Sequence, residues 1–129
     1  MKTVKQSGHS HQEPSPQHQE VLAVDALCHM GAALGVLELH AERAGSAMVC
    51  AARDLLRGYH ASADQAVAGL QAGGRSAGVL PQLSQDLGYA IEVIDRVNDD
   101  APDDLVLYAV TCLLRSARSF ADGQPCAAA

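Results

Sequence analysis

The chain repeats itself. Residues 30–44 align with 87–101 at an offset of 57, and residues 48–64 align with 106–122 at an offset of 58. Ten of the 32 paired positions are identical, among them Gly31/Gly88, Val36/Val93, Asp64/Asp122 and the run Leu55-Leu56-Arg57 against Leu113-Leu114-Arg115. Conservative pairs fill the gaps: Met30/Leu87, Leu34/Ile91, Leu37/Ile94, Glu38/Asp95 and Val49/Leu107. The one-residue change of offset falls between the two aligned blocks, where a turn tolerates an insertion. A duplicated unit of this size, apolar at helical spacing, is one helix–turn–helix that cannot bury its own apolar face. The sequence therefore predicts an all-α four-helix up-down bundle built from two similar helical hairpins.

The apolar spacing locates the helices. A first helix is expected from about Gln19 to Ala44, with Ala23, Leu27, Met30, Leu34, Leu37 and Ala41 inward. Gly45 suits a left-handed helix end and Ser46 suits the next N-cap. A second helix follows from Ala47 to about Ala72, with Met48, Ala52, Leu55, Tyr59, Ser62, Ala66 and Leu70 inward. Residues 73–79 read as a connection. The third helix has the cleanest stripe: Leu80, Leu83, Leu87, Ala90, Ile94 and Val97, with Pro81 in its first turn. The run Asn98–Pro102 reads as a turn with Asp100 as the cap of the fourth helix. That helix is expected to face inward with Val106, Val110, Leu113, Ala117 and Phe120. The domain plan is thus a polar, disordered tail over 1–19, a bundle over 20–122 (repeats about 20–72 and 79–122) and a loose end over 123–129.

Charge and thiols narrow the function classes. A net charge of −6 with singly scattered Arg residues disfavours nucleic acid and anionic membrane surfaces. Asp25 and His29 interrupt the first helix, and no segment is expected to reach the roughly 18–20 apolar residues that span a bilayer. Cys28, Cys50, Cys112 and Cys126 form no C-x-x-C pair, so reduced thiols in a bacterial-type cytosol are expected, with the first three buried as small hydrophobes. No nucleophile–base set, paired-carboxylate pattern or phosphate loop is present, so the reading leans away from an enzyme and expects no cofactor. No metal site is expected either: none of His29, His40 and His60 has Glu three residues before it.

Two features invite a site. Met30–Leu37 carries no charge and contains Gly31-x-x-x-Gly35. Two glycines one turn apart let another helix approach closely, so Met30, Gly31, Leu34 and Gly35 are the expected self-association seam. The other feature is His40-Ala41-Glu42-Arg43-Ala44-Gly45-Ser46. It resembles the H-x-L-K-G-S motif of bacterial histidine-phosphotransfer domains, which are four-helix bundles with an exposed helical His. The Leu is replaced by Glu42, and Gly-Ser comes one residue late. The resemblance implies His40, or His29 with Gly31, as a phospho-acceptor.

The expected function is a non-enzymatic helical interaction or regulatory module with a protein partner, self-associating as a homodimer or other homo-oligomer in the cytoplasm. The alternatives are a histidine-phosphotransfer-like signalling domain, and a small secretion chaperone or secreted effector. The last rests on the polar tail alone.

Overall fold

The computed structural model describes residues 15–75 and 77–124. It contains α1 (Pro16–Ala44), α2 (Ala47–Gln71), α3 (Val79–Asp100) and α4 (Leu105–Ala121), with no strand among the described residues. The local chemistry explains most of the boundaries. Ser15 Oγ accepts the His18 N–H at 3.2 Å and Pro16 fills the first turn. Gly45 ends α1 at φ 63°, and Ser46 caps α2 by accepting the Val49 N–H. Gly73 turns left-handed after α2, and the Gly74 N–H then bonds the Gly69 carbonyl at 2.8 Å. A Cβ at Gly74 would lie 2.7 Å from that oxygen, so the turn requires glycine there.

Three expectations about boundaries need correction. The first helix starts at Pro16, so residues 16–19 belong to the bundle and Gln19 is buried in it. The third helix continues through Asp100. The cap of α4 is Asp104, whose Oδ1 accepts the N–H groups of Val106 and Leu107. Residues 1–14 and 125–129, with Cys126, lie outside the described residues.

The helices form an antiparallel ring in chain order. α1 packs on α2 and most extensively on α4; α3 packs on α4 and less closely on α2; α1 also meets α3 across the centre. The fully buried centre is Met30, Leu37, Leu56, Leu87, Ile94, Leu107, Val110 and Leu114. These include the repeat pairs Met30/Leu87, Leu37/Ile94 and Leu56/Leu114. The duplication also holds on the surface. Glu38 on α1 pairs with Arg57 on α2 at 3.0 Å, and their repeat equivalents Asp95 and Arg115 pair at 3.0 Å. Likewise a Cβ at Gly31 would lie 3.2 Å from the ring of His60, and one at Gly88 would lie 3.1 Å from the guanidinium of Arg118. His60 and Arg118 are themselves repeat equivalents. The two hairpins therefore share one packing geometry.

The stripes of α1 and α3 fall inward as expected, with Leu27 only partly buried. Those of α2 and α4 are rotated by one residue over much of their length. Val49, Leu56, Ala63 and Val67 are buried where Met48, Leu55, Ser62 and Ala66 were expected. In α4, Leu107, Leu114 and Ala121 are buried where Val106, Leu113 and Phe120 were expected. The miss repeats with the duplication, because each second helix carries a Leu-Leu pair that fits either register. Val106, Leu113 and Phe120 lie on the side of α4 that meets α1. Phe120 packs on His29, ring centroids 5.0 Å apart.

Candidate functional site

Helices α1 and α3 occupy equivalent places in the ring, yet their outward faces differ in kind. On α3 that face is Gln85, Tyr89, Glu92 and Arg96, all exposed. At the equivalent positions α1 has Cys28, Ala32, Gly35 and Leu39, also exposed. Val21 and Val36 extend this apolar lane, and Leu39 is 58% exposed. From Ala26 to Leu37 the helix carries no Asp, Glu, Lys or Arg. A water-facing helix side is ordinarily polar, and one that is apolar all round is normally covered.

The lane continues onto α4. His40 Nε2 meets Asp104 Oδ2 at 2.6 Å and joins the end of α1 to the start of α4. Leu39 and Leu105, each next in sequence to one of these two partners, are both exposed, Leu105 at 79%, and Val106 is exposed on the α1 side of α4. Val36, Leu39, Leu105 and Val106, four of the eight large exposed hydrophobics among the described residues, thus lie on these two adjoining helices. Scattered apolar side chains on a surface mean little, but a contiguous patch marks an interaction site.

The four seam residues expected from sequence take three different places. Met30 and Leu34 face the bundle's own core, at 0% and 8% exposure. Gly31 is turned toward His60 of α2. Gly35 alone is open, with nothing within 4 Å of a Cβ placed there. Met30 and Leu34 cannot reach a partner while the bundle is closed, so an outer contact would run through Ala32, Gly35, Val36 and Leu39 instead. The repeat alignment held the signal that reveals them: Gly35 faces Glu92 across the alignment, and Leu39 faces Arg96.

The histidines are structurally engaged. The His40 side chain is 16% exposed and its Nε2 is bound to a carboxylate that also caps α4. A phosphoryl donor would meet the negative charge of Asp104 there. His29 Nδ1 bonds the Asp25 backbone carbonyl at 2.9 Å, and the ring packs on Phe120. No Lys or Arg lies within a turn of His29 to neutralise a phosphate. Among the described residues, no three His, Cys, Asp or Glu side chains converge to hold a metal.

Cys28 and Cys112 are exposed and Cys50 is half-buried, all as free thiols. This corrects the expectation of buried cysteines. Cys28 belongs to the apolar lane, which shows why its sequence neighbours are apolar without its being core. At the other end of the bundle, an open cleft of about 730 Å³ is lined by Gln19, Leu80, Ser84, Arg118 and Asp122 among others. Its polar groups bond one another: Ser84 Oγ donates to Asp122 at 2.5 Å and accepts from Arg118 Nε at 3.4 Å.

By length and composition α1 can cross a bilayer, with a mean hydropathy of 1.6 over its most apolar 18 residues. This revises the expectation that no segment reaches that measure. Buried residues make up 39% of that stretch. The excess hydropathy is the outward lane. Comparison with protein families, curated proteins and solved structures finds no match to this chain.

Proposed function

We propose that this protein is a non-enzymatic helical interaction module whose docking face is the outer side of α1 with the adjoining start of α4. The observation that carries this reading is the contrast between equivalent faces: Ala32, Gly35 and Leu39 on α1 against Tyr89, Glu92 and Arg96 on α3. One fold slot is built to meet water, and its counterpart is built to be covered. The cytoplasm, where free thiols persist, is the compartment that fits Cys28, Cys50 and Cys112.

Cys28 supplies the test, because it lies on the proposed face and is exposed. In dilute purified protein a thiol reagent should modify Cys28 quickly. In the presence of the partner, the Cys28 rate should fall while helicity stays constant. Covering is also expected to leave Cys50, half-buried on the neighbouring α2 and outside the proposed face, at its original rate. A Cys28 that reacts at an undiminished rate in concentrated protein and in extract of the source cells alike would end this reading.

A further inference from the structure

We infer that the occupant of the α1 face is a second copy of this chain, docked antiparallel about a two-fold axis near residue 34. This rests on the reading of α1 as a docking face and adds its partner and register. The argument comes from the two charges that bound the lane. Asp25 and Arg43 are eighteen residues apart. At 3.6 residues per turn that is five turns, so both sit on one line along α1, about 27 Å apart. Neither forms an ion pair within the chain among the described residues.

An antiparallel copy places residue n opposite residue 68 − n when the axis passes the level of residue 34. Arg43 then faces the partner's Asp25, and Asp25 faces the partner's Arg43. The two-fold makes both pairs at once, which is the self-complementarity such an interface requires. The small residues fall at the crossing. Ala32 and Gly35 lie there, and Gly35 has open space outside it, so the backbones can approach closely. Leu39 and Leu105 at one end of the lane meet the partner's half that carries Val21 and Cys28. All four are exposed in the single chain.

The area fits a weak, transient dimer. A lane about 27 Å long and two helices wide covers on the order of 500 Å². Stable specific interfaces begin near 600 Å² per partner, so this one falls in the weak, transient class. Association is therefore expected to depend on concentration in the micromolar range. A lipid surface is the competing cover for such a helix face. The acidic net charge of −6 and Asp25 beside the lane disfavour an anionic one.

Sedimentation of the full chain in reducing buffer, from low to high micromolar concentration, decides the matter. The wild type should show a monomer–dimer equilibrium. Asp25→Arg and Arg43→Asp should each weaken it by about tenfold, since each turns two attractive pairs into two repulsive ones. The double variant Asp25→Arg/Arg43→Asp should restore association to within about threefold, because the reversed pairs meet again. Neither side chain has an ion-pair partner among the described residues, so circular dichroism and thermal midpoint should barely change. Gly35→Leu, which has room in the monomer, should also abolish dimerisation.

A wild type that stays monomeric at high micromolar concentration overturns the inference. If Cys28 is nonetheless protected by another protein, the docking-face reading stands alone. Dimerisation lost in Gly35→Leu but unmoved by the charge reversals overturns the antiparallel register and keeps the face. Co-sedimentation of monomer with neutral phosphatidylcholine vesicles, lost in Leu39→Glu, would assign the face to lipid and also overturn it.

Discussion

Helices α1 and α3 descend from the same repeat position and bury the same residues, yet they present opposite chemistry to the outside. Inward, Met30 and Leu37 match Leu87 and Ile94, all at or below 1% exposure. Outward, Leu39 stands where Arg96 stands, and Gly35 where Glu92 stands. The core is constrained by packing density and changes little between copies. The outside is constrained only by what it meets. The difference is the basis of the docking-face proposal, under which α3 is adapted to water and α1 to contact.

The seams between hairpins teach the same lesson. The rotation that maps one hairpin onto the other maps the α4–α1 seam onto the α2–α3 seam. At the first, Asp104 caps α4 and also reaches His40 at 2.6 Å. At the second, the equivalent residues are Ser46 and Val97. Ser46 caps α2 through Val49, and the counterpart of His40 is a valine, which has no polar group to bond it. Phe120 against His29 has Ser62 as its counterpart, and Ser62 is exposed. Two side-chain contacts thus tie α4 to α1 that have no equivalent between α2 and α3 among the described residues. This agrees with the closer packing of α1 on α4.

The largest expected effects test whether the two copies share one core. Leu56→Ala and Leu114→Ala should each lose roughly 2–5 kcal/mol in urea unfolding, as large-to-small core changes do. Their neighbours Leu55 and Leu113, only partly buried, should each lose clearly less. If the neighbours proved the costlier of the two, the register of α2 and α4 described above would fail.

Next comes the seam. Asp104→Ala removes a helix cap and the His40 contact together, and should lose about 1–2 kcal/mol. Ser46→Ala removes a cap only and should lose about 1 kcal/mol. A double-mutant cycle of Asp104→Ala with His40→Ala isolates the contact, and zero coupling would show that the seams are alike after all.

A smaller effect, of opposite sign, sharpens the contrast of outer faces. Gly35→Ala should stabilise the monomer by about 0.5–1 kcal/mol, because an exposed mid-helix glycine gains helix propensity and meets nothing. Thermal unfolding of dilute protein measures it. A loss instead would mean that something already occupies that space. The smallest effect is the most symmetric. Arg57→Ala and Arg115→Ala break equivalent exposed ion pairs and should each cost less than about 1 kcal/mol. Unequal losses would show that the hairpins differ even where their geometry coincides.

Much of the fold was legible before any coordinates. The duplication, the α3 stripe and the Gly45-Ser46 junction each have one physical reading, because only one face or one backbone conformation suits them. The inward face of α2 was not legible. Leu55 and Leu56 are equally apolar, and periodicity cannot choose between adjacent leucines. The same ambiguity hid Leu114 behind Leu113. The site was half legible. The uncharged run Met30–Leu37 marked α1 as a helix with more apolar surface than one core needs. It could not show which of those residues face the bundle's own centre.

What the sequence determined by itself was the number of helices, their pairing into two like hairpins, and the excess of apolar surface on the first. These follow from local periodicity and composition, which act within one helix or one turn. Only the tertiary structure decided which apolar residues were left over. That choice depends on the rotation of each helix about its axis, and rotation is set by neighbours. The ring of α2, α3 and α4 draws Met30 and Leu34 inward and turns Gly31 against His60. Gly35 and Leu39, equally apolar in the chain, remain outside because no helix of this bundle stands on that side.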